Sequence, residues 1–142
     1  ADNLWMLATG TGLAPFLSIL RTETAWKRYR HIVLVEAVRR AEELAYRATI
    51  EQLRREHPGR FTSVVFVSRE QAPGALIGRI PQAILEGRLE AAAGVHLSAA
   101  SAQVMLCGNP AMVTDTVHAL MQRGMKKHRR RSPGNITVEN YW

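Results

Sequence analysis

Two glycines in residues 8–16, which read ATGTGLAPF, have the spacing of a phosphate-binding turn. Glycine leaves neighbouring backbone N–H groups uncovered, and a helix that begins directly after the turn adds its positive dipole end. A phosphate or pyrophosphate group binds well at such a place. Pro15 stands where the common Gly-x-Gly-x-x-Gly dinucleotide pattern has its third glycine. The turn taken alone is therefore equally typical of an ordinary strand-to-helix connection.

The chain is strongly basic. It has 19 Lys and Arg residues against 12 Asp and Glu, which gives a formal net charge of +7. Much of the excess lies in residues 126–131, which read KKHRRR. Such a surface attracts nucleic acid, nucleotides or acidic proteins, although a solvated basic loop has the same pattern.

Composition disfavours several classes of protein. With 46% hydrophobic and 22% charged residues, the 142-residue chain is typical of one globular domain. No apolar run approaches the roughly 20 residues needed to cross a bilayer, and the histidines have no spacing typical of a metal site. A single cysteine, Cys107, excludes an internal disulfide and indicates a reducing compartment. We therefore expect a cytoplasmic protein without a membrane partner or a metal.

Strand and helix patterns alternate along the chain. Short apolar or β-branched runs predict five strands, at residues 4–8, 31–38, 61–67, 103–107 and 136–139. Helices are predicted after the glycine turn and within 41–56, 80–85 and 111–123, whereas 86–100 reads as an irregular surface excursion. This alternation predicts an α/β fold, a five-stranded parallel sheet with helices on both faces.

Ligands of such sheets bind beyond the carboxyl ends of the strands. The unusual residues follow the predicted strands at that edge: the glycine turn, residues 36–40, Ser68 with Arg69, and Cys107 with Gly108. Asn109 and Pro110 have the residue types of an N-cap and a first helical position. Several suitable loops at one edge predict a binding site there.

Four linked motifs make the chain resemble the NADP-binding half of bacterial ferredoxin (or flavodoxin)–NADP⁺ reductases. They are GTGLAPF at residues 10–16, VSREQ at 67–71, CGNPAM at 107–112 and an aromatic carboxyl end. The resemblance covers essentially the whole chain. It implies a ferredoxin reductase-like nucleotide-binding domain over residues 1–142, with the family's N-terminal FAD-binding β-barrel absent from this chain.

The resemblance also implies an activity for the complete protein. Hydride passes between NADPH and FAD, and single electrons pass between FAD and an acidic ferredoxin or flavodoxin, which residues 126–131 would face. We expect this chain by itself to bind NADP(H) without turnover.

Residue roles follow from the matched motifs. The resemblance implies that the pyrophosphate lies over the turn formed by Thr9, Gly10, Thr11 and Gly12. It assigns the 2′-phosphate to basic and hydroxyl side chains, namely Arg39, Ser68, Arg69 and Arg79. Gly108, Asn109 and Pro110 complete the predicted cofactor contacts.

The remaining implied residues lie toward the nicotinamide and the flavin. Cys107 matches the cysteine that positions the nicotinamide, and Glu139 matches an acid near the same ring. Tyr141 matches the terminal aromatic that stacks on the isoalloxazine, and Trp142 would cover part of FAD.

Glu36 departs from the family pattern, in which relatives often carry histidine. An acid about 20 residues after the glycines ordinarily holds a ribose 2′-OH and favours NAD. Because Arg39, Arg40 and Arg69 outnumber it, we predict NADP. Two alternatives stay open: a flavin or oxygenase reductase of the same superfamily, and a nucleic-acid-binding module that uses residues 126–131.

Overall fold

The computed structural model describes residues 2–139, which form one parallel six-stranded sheet. The strands are β1 Asn3–Thr9, β2 His31–Val38, β3 Phe61–Val67, β4 Leu76–Ile77, β5 Ala102–Cys107 and β6 Ile136–Glu139. They lie in the order β4-β3-β2-β1-β5-β6, and every neighbouring pair is parallel.

Within residues 2–139, six α-helices connect the strands. They are α1 Leu13–Leu20, α2 Glu23–Arg28, α3 Arg47–Glu56, α4 Ile80–Glu86, α5 Arg88–Ala93 and α6 Pro110–Gln122. Two short 3₁₀ turns, Gly10–Gly12 and Ala41–Glu43, precede α1 and α3. The predicted α/β class is confirmed.

The sheet has helices on both faces, as predicted. Successive strand side chains point to opposite faces, so Trp5 and Leu7 pack with the apolar residues of α4, α5 and α6. Leu4 and Met6 pack instead with those of α1, α2 and α3. Both apolar layers are buried, and the loops at the carboxyl ends of the strands are left to form the site.

The prediction of five strands is wrong by one edge strand. The missed strand, β4, has only Leu76 and Ile77, which pair with Phe66 and Val67 of β3. Two residues are too few to show a periodic pattern, so no sequence signal separated this strand from the loop around it.

Two helix predictions also need correction. The helix predicted over 41–56 begins only at Arg47, because Tyr46 has a left-handed backbone, with φ at +59°, that interrupts it. Residues 86–100, predicted to be a surface excursion, contain α5. Leu89 of α5 and Leu97, which follows it, are fully buried. Small residues around these leucines hid the helical pattern.

Candidate nucleotide-binding site

A cleft of about 580 Å³ lies at the carboxyl ends of β1, β2 and β3, beside α4 and α6. This is where a parallel sheet is expected to bind its ligand. The predicted nucleotide contacts that line it are Thr9, Gly10, Arg39, Ser68, Arg79 and Asn109. The structure thus brings the predicted residues into one cleft, although Thr9 and Asn109 are 100 positions apart in the sequence.

The turn Gly10–Gly12 leads directly into α1 at one side of this cleft. Gly10 has φ at +51°, and the space where a Cβ would lie is open. Gly12 is different, because a Cβ there would overlap the backbone carbonyl of Cys107. Neither Thr9, before the turn, nor Gly12, before α1, makes a side-chain cap hydrogen bond. N–H groups at the start of a helix are donors that suit an anion.

The loop after β5 packs against this turn. Gly108 has φ at +147°, and a Cβ there would overlap Oγ1 of Thr9. The same Oγ1 accepts a hydrogen bond from the Asn109 backbone N–H at 2.9 Å. The predicted N-cap is confirmed, because Asn109 Oδ1 accepts from the N–H groups of Ala111 and Met112, at 2.9 and 3.3 Å. Pro110 is the first residue of α6, as predicted.

Backbone hydrogen bonds bring the predicted 2′-phosphate residues together. The Ser68 N–H donates to the Val38 carbonyl at 3.1 Å, and the Arg69 N–H donates to the Arg39 carbonyl at 2.9 Å. Arg39, Ser68 and Arg79 then line the cleft, whereas Arg69 is exposed and lies outside its lining. The Arg79 guanidinium has no ion-pair partner among the described residues.

Cys107 and Glu139 are register partners in the parallel pair β5 and β6. Cys107 is fully buried. Burial raises the pKa of its thiol most, and the nearby Glu139 carboxylate raises it further. The thiol therefore stays protonated near neutral pH, which fits a positioning group rather than a nucleophile. Neither residue lines the cleft, and their roles at the nicotinamide stay predictions.

Three predicted contacts lie beyond what the structure describes. Tyr141 and Trp142 lie outside residues 2–139. The backbone of Thr11 is part of the turn, but its side chain is outside the described part. Their roles stay predictions.

Glu36, the acid about 20 residues after the glycines, does not line the cleft. Glu36 is 2% exposed, and it accepts hydrogen bonds from the Ala45 N–H at 3.1 Å and from Arg47 Nη1 at 3.4 Å. Burial raises the pKa of the Glu36 carboxyl, and these two donors partly oppose that effect. The side chain lies two residues before the end of β2, on the face that α3 covers, so it anchors the connection to α3 instead.

Among the cleft residues to which the sequence assigned no role are two acids, Glu43 and Asp115. Glu43 was counted within the predicted helix over 41–56. Asp115 could have been found, because it lies one helical turn after Ala111 on a helix that begins at the cleft, and residues four apart share a helix face.

Between residues 2 and 139, no three His, Cys, Asp or Glu side chains come together in a way that could hold a metal ion. In the same part of the chain, each helix is too short or too polar to cross a membrane.

Residues 6–118 match the family model of the oxidoreductase NAD-binding domain, and the chain belongs to this family. It is similar to the flavodoxin/ferredoxin–NADP reductase of Escherichia coli, with 45% identity over 142 residues that cover 99% of this chain and 57% of that protein. The enzyme of the same name from Buchnera aphidicola is 44% identical over 141 residues, which cover 99% of this chain and 55% of that protein.

A solved structure agrees with these relatives. The ferredoxin NADP⁺ reductase of Neisseria gonorrhoeae, crystallised with bound FAD and NADP, superposes with a TM-score of 0.93 and 36% identity. The match covers 100% of this chain and 57% of that one. The resemblance inferred from the motifs is therefore confirmed, and the chain spans a little over half the length of these relatives.

Proposed function

We propose that this chain is the NADP(H)-binding part of a flavodoxin/ferredoxin–NADP⁺ reductase. The observation that carries the proposal is one cleft that is lined both by Gly10, of the turn Gly10–Gly12, and by Arg39, Ser68 and Arg79. NADP(H) has anionic groups that suit both places, a pyrophosphate and a 2′-phosphate. The similarity to reductases of that name supports the same function.

The pyrophosphate would lie over the turn. Open space above Gly10 lets phosphate oxygens approach the backbone, and the first N–H groups of the turn and α1 would donate to them. Thr9 holds the neighbouring loop in place through Asn109, whose own side chain already occupies the first N–H groups of α6. The phosphates would therefore bind at α1 rather than at α6.

The 2′-phosphate would bind between Arg39, Arg79 and the Ser68 hydroxyl, with Arg69 available from the side. Arginine presents paired N–H donors to phosphate oxygens, and charge-assisted bonds of this kind are among the stronger ones in proteins. These residues fit a phosphorylated ribose because cationic and hydroxyl donors line the same cleft.

The nicotinamide would lie toward Cys107 and Glu139, beyond Gly108, Asn109 and Pro110. When bound, NADPH supplies the hydride of the reaction. The small, protonated Cys107 thiol would position the ring without forming a bond to it. The Glu139 carboxylate would lie near the same ring because Glu139 is the register partner of Cys107 in the pair β5 and β6.

The other parts of the reaction belong to the complete protein. We place FAD in its N-terminal β-barrel domain, with Tyr141 and Trp142 against the flavin, and expect residues 1–142 alone to bind NADP(H) without turnover. The exposed basic residues 126–131 would attract an acidic flavodoxin or ferredoxin. A buried free thiol at Cys107 suits a reducing compartment, the cytoplasm.

Calorimetric titration of the 142-residue chain with NADP⁺ and with NAD⁺ tests this function. We expect tighter binding of NADP⁺, and Arg39→Ala should weaken it about tenfold or more, because charge-assisted hydrogen bonds contribute roughly 1.5–3 kcal/mol. NAD⁺ binding should change little. Arg55→Ala removes an exposed arginine of α3 outside the cleft and serves as the control.

Other results would favour other functions. Equal binding of both nucleotides would support an NADH-using flavin or oxygenase reductase of the same superfamily. Binding of neither, together with salt-sensitive binding of DNA or RNA, would support a nucleic-acid-binding module.

A further inference from the structure

We propose that Glu43 is a specificity-determining residue of this cleft. Its carboxylate pairs with Arg39, so it opposes binding of a 2′-phosphate and narrows the preference for NADP(H) over NAD(H). This inference rests on the proposed function, because it concerns how the same cleft distinguishes the two nucleotides.

The position of Glu43 is fixed by three contacts in the turn Ala41–Glu43. Its backbone N–H donates to the Arg40 carbonyl at 3.0 Å, and its Oε1 accepts from the Arg40 N–H at 2.9 Å. Its Oε2 lies 3.7 Å from Nη2 of Arg39. The backbone bonds hold the carboxylate where it meets Arg39, and both side chains line the cleft.

The positive and negative side chains that line the cleft are equal in number. Arg39 and Arg79 contribute two positive charges, and Glu43 and Asp115 contribute two negative ones. A dianionic 2′-phosphate that binds Arg39 must displace Glu43 from that arginine or accept its repulsion at close range. The Arg39 and Glu43 side chains are 66% and 39% exposed, so water and salt moderate the effect.

The same carboxylate suits the other nucleotide. A ribose 2′-OH is a hydrogen-bond donor, and an acidic side chain near that position is the ordinary acceptor for NAD. Of the two acids on and directly after β2, Glu43 is the one available for this, because Glu36 is buried and already bound by Ala45 and Arg47.

Two substitutions separate the charge of Glu43 from its part in holding the turn. Glu43→Gln removes the charge but keeps an oxygen that can accept the Arg40 N–H. Glu43→Ala removes both. Glu42→Gln is the matched control, because Glu42 is an exposed acid of the same turn that does not line the cleft.

Binding of NADP⁺ and NAD⁺ to these variants tests the inference. We expect Glu43→Gln to raise the ratio of NADP⁺ to NAD⁺ affinity about two- to fivefold, the range typical of exposed ion pairs. The gain should shrink as salt is added. Glu42→Gln should leave the ratio unchanged.

Two failures have different meanings. If the unmodified chain binds NADP⁺ but Glu43→Gln leaves the ratio unchanged or lowers it, Glu43 does not oppose the 2′-phosphate and this inference alone is overturned. If the unmodified chain binds neither nucleotide, the proposed function fails and the inference fails with it.

Discussion

The Thr9 hydroxyl accepts a hydrogen bond from the Asn109 backbone N–H at 2.9 Å, across 100 residues of sequence. Thr9 ends β1 and Asn109 caps α6. The bond therefore joins the turn proposed to hold the pyrophosphate to the loop proposed to lie beside the nicotinamide. Gly108 lets the two backbones approach, since a Cβ there would overlap Thr9.

Thr9→Val should lower the free energy of unfolding by about 1 kcal/mol, the usual contribution of such a hydrogen bond. Valine keeps the branched shape but cannot accept from the Asn109 N–H. Thr9→Ser keeps the hydroxyl and should recover most of the loss. Urea denaturation of the three proteins measures the difference, and equal stability of Thr9→Val and the parent would show that the bond contributes nothing.

Glu36→Gln should change how stability depends on pH. Burial raises the pKa of the Glu36 carboxyl above its ordinary value of 4.5, so the folded protein holds this proton more tightly than the unfolded chain does. The resulting stability is fully present below the unfolded pKa and is lost as the pH rises through the folded pKa. Because glutamine does not titrate, Glu36→Gln should gain stability relative to the parent as the pH increases.

Urea denaturation between about pH 4.5 and about pH 7.5 checks the sign of this linkage. Glu23→Gln, which removes a carboxylate that is 87% exposed, is the control. A stability difference between Glu36→Gln and the parent that falls with increasing pH would mean that the bonds from Ala45 and Arg47 outweigh burial.

Cys107 should react slowly with thiol reagents in the folded protein. Its side chain is 1% exposed, and burial together with Glu139 raises the pKa of the thiol. Thiol reagents attack the thiolate and need access to it. Modification of the folded protein should therefore be at least about 100-fold slower than modification of the protein unfolded in urea, because the folded protein must first open to expose the thiol. Rapid labelling of the native protein would instead indicate an accessible thiolate.

Most of the sheet could be predicted because its longer strands are distinctive. His31–Val38 and Phe61–Val67 were predicted with the bounds that the structure has, since β-branched runs of this length have few alternatives. Leu76–Ile77 could not be predicted, because only its pairing with β3 makes it a strand. Helix α5 was missed for a related reason: its alanines give little contrast between faces.

The site was predictable where backbone chemistry determines it. The glycine turn and the Asn109 cap act through local geometry, which residue type encodes. The acids were not predictable, since sequence distance does not tell which carboxylate reaches the cleft. Glu36 faces the packed side of the sheet, while Glu43 lies in the cleft, in the turn Ala41–Glu43 before α3.

The edges of the sheet bear on how the protein behaves at high concentration. The edge strand β4 has only two residues. At the opposite edge, Ile136 begins β6 and already pairs with Lys127, and the Ile136 carbonyl accepts a hydrogen bond from the His128 N–H at 2.8 Å. Long unpaired edges recruit other chains and aggregate, whereas short or lysine-bearing edges do not. The basic loop at residues 126–131 covers the start of the β6 edge, so a neighbouring molecule would be hindered from adding a strand there.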